Sequence, residues 1–274
     1  MNRQSDWRRV EQEHYDVLVA QTGESWWGHQ TPVGRMRLER RAKMVEELLP
    51  RNDAEVLEVG CGTGSLTIEL LKSMPSIRLT ATDVSSASLR RVQHKCAACP
   101  RLVVQVEDLT GLSFADASFD AVVGNAILHH CPAEAALAEA YRVIRPGGFL
   151  LMFEPNLANP QLAFDHVLSR VSSRHARRMQ ITPNEKPLLR WPLRRMLADA
   201  GFVSCLVEPM DFLHPSLPER YATWVGRIGR TIEKVPGLRE ISGSLIIMGR
   251  KPNGDLVESD ESTSLLSHSL VPCS

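Results

Sequence analysis

A chain of 274 residues with 43% apolar and 23% charged residues can bury one substantial core, which favours one domain with additions over two equal halves. Its 32 Lys and Arg balance its 32 Asp and Glu, which excludes a global attraction to nucleic acid or to an anionic surface and leaves any charge preference local. The start, "MNRQSDWRRVEQEH", has no apolar signal core, and no stretch approaches the roughly 18 apolar residues of a spanning helix.

The expectation is therefore a cytoplasmic protein without a membrane span, its six scattered cysteines reduced. His94, Cys96 and Cys99 in "HKCAAC" could begin a metal site, but no second CxxC or HxxxH completes four ligands. No metal is expected.

Trp7, Val10, His14, Val17 and Leu18 recur at helical spacing, and after the break "TGESWWGHQTPVG" a second pattern runs through Met44, Val45, Leu48 and Leu49. From residue 54 short apolar runs alternate with amphipathic segments: "EVLEVG", "RLTATD", "LVVQVED", "FDAVVG" and "GFLLMFEP", with helical patterns between them. Such alternation predicts parallel βαβ units, and strands this continuously apolar fit a sheet covered on both faces.

Residues 156–190 interrupt the rhythm. Leu193, Met196, Leu197 and Ala200 then form a helix stopped by Gly201, and "FVSCLVEPM" and "SLIIMGRKP" flank a helical pattern of Tyr221, Trp224, Ile228 and Ile232. The predicted organisation is an N-terminal helical cap over 1–50 and a ligand-binding α/β domain over 51–252. Insertions at 156–190 and 211–240 complete the cap, and a polar, acidic tail over 253–274 is expected to be disordered.

The first strand ends in "VLEVGCGTG", with Gly60, Gly62 and Gly64 at alternate positions. A dinucleotide fingerprint needs G-x-G-x-x-G, and here Ser65 stands where the last glycine would be. Asp83, closing the next strand, can accept hydrogen bonds from both hydroxyls of a ribose, which NAD and S-adenosylmethionine share. Downstream, "VEDLTGLSFADASFDAVVGNAILHH" and "AEAYRVIRPGGFLLMFEPN" follow with the spacing of a third, fourth and fifth strand.

Together these ordered segments resemble the class I S-adenosylmethionine-dependent methyltransferases, especially the ubiquinone and menaquinone biosynthesis branch. The resemblance is strong over 55–155 and weaker through "MLADAGF" and "SGSLIIMGRKP". It implies a doubly wound, seven-stranded, mostly parallel Rossmann-like sheet with S-adenosyl-L-methionine as cofactor. By position it implies that Glu58, Gly60, Cys61, Gly62 and Gly64 form the turn beside the methionine part and that Asp83, with Val84, holds the ribose. Asp108 and Leu109 then sit beside the adenine, and the backbone of Asn125 faces the methionine moiety.

The sulfonium already activates the methyl group, so a protein has chiefly to align a nucleophile and exclude water. The acceptor expected is a small, partly apolar molecule, with oxygen favoured over carbon or nitrogen. "GNAI" replaces the N/D-P-P-aromatic turn of enzymes that methylate amino groups of DNA bases or glutamine, so nucleic acid is not expected as a partner. A catalytically silent cofactor-binding module and an NAD-dependent oxidoreductase remain as alternatives.

His129 and His130 follow strand four at the edge where doubly wound folds hold ligands. An imidazole suits proton removal from a hydroxyl, and one of the two, His129 before His130, is expected to line the acceptor side. Trp26 and Trp27 could wall an apolar pocket. The Arg and Lys of "GHQTPVGRMRLERRAK" and "SRVSSRHARR" read first as solvated helix faces, and as an anion lure second.

Overall fold

The computed structural model describes residues 3–22, 28–179, 181–182, 184–186, 188–214 and 217–253. Trp26, Trp27 and all but the first residue of the expected tail lie outside them. Helices α1 (Arg3–Thr22) and α2 (Pro32–Leu48) precede the alternating unit. That unit runs β1 (Glu55–Val59), α3 (Ser65–Ser73), β2 (Arg78–Asp83), α4 (Ser86–Lys95), β3 (Leu102–Val106), β4 (Phe119–Asn125), α5 (Ala133–Val143) and β5 (Ile144–Pro155). There follow α6 (Pro160–Val171), α7 (Ser173–Met179), α8 (Arg190–Asp199), β6 (Val203–Met210), α9 (Glu219–Ile232) and β7 (Ser244–Arg250).

The seven strands lie in the order β3-β2-β1-β4-β5-β7-β6, and β7 alone is reversed against its neighbours. The near-continuous apolar strands make this possible, because both faces are covered. Leu57, Val59 and Val122 pack under α5 and α8, while Val56, Ala121 and Val123 pack under α2 and α3. Successive strand residues thus serve opposite layers, as a pleat with period two requires. Connections leave β1 and β4 in opposite directions along the sheet, so a crevice opens at their carboxyl ends.

Two helices turn inward a face that apolar spacing marks only in part, Trp7 and Leu18 being the inward members of the α1 pattern. On α1, Val17 is 53% exposed, whereas Glu11 is buried and Trp7, Glu11 and Tyr15, four residues apart, share the inward face. Polar side chains can face inward there because partners wait for them. On α9 the inward residues are the small ones, Ala222, Gly226 and Gly229. A Cβ on Gly229 would lie 3.2 Å from the Phe212 side chain. The helix approaches through its glycines and leaves Tyr221, Trp224 and Ile228 outside.

Candidate active site

The turn after β1 is set by backbone conformations that only glycine adopts without cost. Gly60, Gly62 and Gly64 have φ of 62°, 53° and 85°. A Cβ on Gly60 would meet Ile127 at 2.5 Å, while one on Gly62 would meet nothing within 4 Å. Gly62 therefore faces open space at the crevice, and Gly60 fits against the loop after β4. Gly64 starts α3 and packs near Val92; unlike Gly60, Cys61 and Gly62 it does not line the crevice.

Asp83 ends β2 facing this turn. Its Oδ2 accepts from Gly62 N at 2.8 Å and its Oδ1 from Ser85 N at 2.8 Å, so each oxygen keeps a lone pair for a ligand. Burial pushes its pKa above the ordinary carboxylate value, against the backbone amides that lower it. Glu58 lies deeper, accepts from Thr67 Oγ1 at 2.6 Å, and is pushed by burial up to about 8. Val84 lies on the crevice wall with both carboxylates.

Beyond β3 the wall is Glu107 and Leu109, and Asp108 between them is not part of it. Asp108 Oδ1 accepts from Thr110 N at 2.8 Å and Thr110 Oγ1 at 2.7 Å, fixing the turn. Its Oδ2 has no hydrogen-bond partner among the described residues. Asn125 lines the crevice at the end of β4, and its side-chain oxygen accepts from Arg41 Nη1. Arg37, Arg40 and Arg41 are not a solvated face, contrary to the sequence expectation. They turn inward to Asp211, Glu233 and Ser244 and tie α2 to β7 and α9.

The histidine pair occupies a 3-10 turn over Leu128–His130. Glu154, near the end of β5, accepts from Ile127 N at 2.9 Å and Leu128 N at 2.8 Å through Oε1, and meets His129 Nδ1 at 2.6 Å through Oε2. An ionised carboxylate only accepts, so Nδ1 of His129 carries the hydrogen. Nε2 of His129 is left without a hydrogen-bond partner among the described residues. Burial works to lower the His129 pKa, and the hydrogen bond and charge of Glu154 outweigh it and hold the pKa above the ordinary value.

His130, and not His129, lines the crevice, which reverses the order of the sequence expectation. Its Nε2 meets the Tyr15 hydroxyl at 2.9 Å and its Nδ1 lies 3.3 Å from Glu11 Oε2. Nε2 is engaged by Tyr15, while Nδ1 is buried beside Glu11 without a hydrogen-bond partner among the described residues. The two rings lie 3.9 Å apart between centroids. Glu11 Oε1 in turn accepts from Thr182 Oγ1 at 2.7 Å and Asn184 Nδ2 at 2.9 Å. One ligand-capable atom each of His129, His130 and Glu185 lie within 4.8 Å of one another. Glu154, Tyr15 and the amide of Thr182 already engage these three side chains.

Sequence reasoning missed Glu154, Glu11 and Tyr15. Glu154 had a signal, an acid directly after the buried run "FLLMF". Glu11 and Tyr15 had only their four-residue spacing from Trp7.

Residues 56–148 match the family model described as a methyltransferase domain. The chain is 31% identical over 153 residues to an uncharacterised methyltransferase of Mycobacterium tuberculosis, covering 54% of this chain and 75% of that one. It is 37% identical over 129 residues to the ubiquinone/menaquinone biosynthesis C-methyltransferase of Dinoroseobacter shibae, 44% of this chain. It spans about half the length of longer relatives, 52% of that C-methyltransferase and 49% of a 37.1 kDa transposon-borne protein of Streptomyces fradiae. A SAM-dependent methyltransferase of Thermotoga maritima, described as a possible histamine N-methyltransferase, shares the fold with a TM-score of 0.61. The two are 18% identical over 87% of this chain and 99% of that one. With a left-handed glycine turn open to the crevice and a buried acceptor carboxylate at the end of β2, the chain belongs to the class I S-adenosylmethionine-dependent methyltransferases.

Proposed function

We propose that the chain transfers the methyl group of S-adenosylmethionine to an oxygen of a small, partly apolar molecule, with His129 as the proton acceptor. The observation that carries this reading is the His129–Glu154 contact of 2.6 Å, which fixes the ring with Nδ1 on the carboxylate, while Nε2 has no hydrogen-bond partner among the described residues. The side chain is 13% exposed, and its ring lies 3.9 Å from that of His130, which lines the crevice.

The cofactor supplies a methyl group on a sulfonium, an electrophile that needs no further activation. Asp83 and Val84 would hold the ribose. Glu58, Gly60, Cys61, Gly62 and the backbone of Asn125 would line the methionine end, with Gly64 supporting the turn from behind. Leu109 and the free oxygen of Asp108 would meet the adenine. On the acceptor side, Glu154 keeps His129 in the tautomer whose Nε2 is a base, the role a third group plays behind any activated nucleophile. As the oxygen gains the methyl group its proton passes to Nε2, and the adjacent carboxylate stabilises the imidazolium. Trp7 and Tyr15 on α1 cover the crevice and exclude water, which strengthens these interactions.

Incubation with isotopically labelled cofactor and a panel of hydroxylated aromatic and aliphatic compounds tests the reading. Label in an O-methyl group supports it. Label only in C-methyl or N-methyl products refutes the oxygen assignment, and cofactor binding without any transfer refutes the catalytic one.

A further inference from the structure

Away from the crevice, two helices carry large apolar side chains that stand exposed among the described residues. On α6, Phe164, Val167 and Val171 are 64%, 63% and 80% exposed and stand at helical spacing on one stripe. On α9, Tyr221, Trp224 and Ile228 form a second stripe at the same spacing, Trp224 being 65% exposed. The turn over Leu238–Ile241, which follows α9 in the chain, exposes Leu238 and Ile241. It is joined to the start of α6 by Asn159 Nδ2 donating to Ile241 O at 2.7 Å. On α9 this arrangement is imposed by sequence. The residues that face inward are Ala222, Gly226 and Gly229, so the helix spends its small residues on the protein and its aromatic ones outside.

The charges beside the stripes are mostly positive. Arg170, Arg174, Arg177 and Arg178 extend the α6 stripe into α7, and Arg220, Arg227 and Arg230 flank the α9 stripe. All seven are exposed, and none forms an ion pair among the described residues. The same helices carry only two carboxylates, Asp165 and Glu219, and Asp165 already meets His175 at 3.1 Å. This differs from α2, where Arg37, Arg40 and Arg41 are paired inward. In a chain with no net charge, unpaired arginines gathered beside exposed aromatic and branched residues have the chemistry of an interfacial helix.

We propose that the α6–α7 and α9 surface docks on an anionic lipid bilayer, with Phe164 and Trp224 entering the headgroup region and the arginines meeting lipid phosphates. A second copy of the chain fits less well. A twofold interface brings the same patch of each copy together, so arginines would face arginines. No helix among the described residues is long and apolar enough to cross a membrane, so attachment would be at the surface.

The full chain is tested by flotation with vesicles of phosphatidylcholine, with and without phosphatidylglycerol. Binding to the anionic vesicles alone is expected, falling as salt rises. Phe164→Ala and Trp224→Ala should each lower the partition coefficient about tenfold, as loss of one inserted side chain implies. Their melting temperatures should stay unchanged, since both side chains are exposed. Arg174→Glu with Arg227→Glu should abolish binding.

No binding to anionic vesicles overturns the proposal. Binding that salt removes but Phe164→Ala and Trp224→Ala leave intact also overturns it, because apolar insertion is then absent. A chain that dimerises through this face without binding vesicles, and that Trp224→Ala returns to monomers, assigns the surface to a second copy instead.

Discussion

The two walls of the crevice are built in different ways. The wall formed by β1, β2 and their turns takes Glu58, Gly60, Gly62 and Asp83 from 26 consecutive residues, and its key bonds are made by backbone amides at strand ends. The opposite wall brings Glu11 from α1, His130 from a 3-10 turn and Thr182 and Asn184 from the segment before α8, over a separation of 171 positions. Its bonds run between side chains. A backbone cradle tolerates almost any neighbour and suits a constant ligand, whereas a side-chain cluster changes with each substitution and suits a variable one.

The contrast breaks first at the histidine. His129→Gln removes the proposed base without touching the cofactor wall, and turnover should fall by about a hundredfold or more. Cofactor affinity, read by calorimetry, should change little. A loss of affinity as large as the loss of rate would place His129 on the wrong wall.

Asp83→Ala makes the opposite cut. It leaves ribose hydroxyls without a charged acceptor and releases Gly62 N, at a cost of about 1–3 kcal/mol in cofactor binding. Saturating cofactor should then restore turnover. Unrestored turnover would mean that Asp83 also orients the acceptor side.

Glu154→Gln sharpens the comparison through pH. The variant loses the charge, and because its carbonyl oxygen must stay with the amides of Ile127 and Leu128, its amide nitrogen faces Nδ1 and favours the tautomer with the hydrogen on Nε2. In the native pair His129 titrates above its ordinary value and Glu154 below its own, burial being outweighed in each. A base must be unprotonated, so native turnover rises with pH through the raised His129 pKa, and in the variant the rise should come at lower pH and to a lower plateau, because Nε2 then holds the hydrogen in the favoured tautomer. Stability has the complementary signs. The His129 contribution is fully present below its unfolded pKa of about 6.5 and is lost as pH rises through the folded value. The Glu154 contribution is present above its unfolded pKa of about 4.3 and is lost as pH falls through the folded value. The charged pair therefore stabilises most between those limits, and Glu154→Gln should lower the melting temperature there. An unchanged pH profile of turnover would separate Glu154 from the proton transfer.

Much of the fold was legible because its signals are local. The apolar runs that became β1 to β5 are short and continuous, and the glycines at 60, 62 and 64 mark left-handed backbone whatever packs on it. Asp83 was legible for the same reason, since an acid at a strand end two residues before Ser85 closes its own turn. The helix faces were less legible. Apolar spacing on α9 was real but pointed outward, because Gly226 and Gly229 permit a closer approach than Trp224 or Ile228 could. Arg37 and Arg41 read as surface charge because their partner, Asp211, lies about 170 residues away and on a different element. Glu11 was hidden in the same way. Its meaning depends on Thr182 and His130, and no window of sequence contains all three.

The smallest expected effect concerns Asp108, which stands behind the crevice wall between Glu107 and Leu109. Its Oδ1 holds the turn through Thr110 N and Thr110 Oγ1, and its Oδ2 is the oxygen proposed for the adenine amine. Alanine would remove both functions and could not distinguish them. Asn can: its carbonyl oxygen must stay with the two Thr110 donors, which places an amide nitrogen where Oδ2 stood. A donor there faces the donor of the exocyclic amine, so Asp108→Asn should keep its melting temperature. Cofactor binding should weaken by about 1 kcal/mol, the scale of one neutral hydrogen bond. Comparison of S-adenosylhomocysteine with its inosine analogue, which carries a carbonyl in place of the amine, supplies the control. Asp108→Asn should narrow the preference of the native chain for the adenine form. Equal losses for both ligands, or a fall in melting temperature without ligand, would leave Asp108 as a turn residue and give the adenine to Leu109 and the backbone.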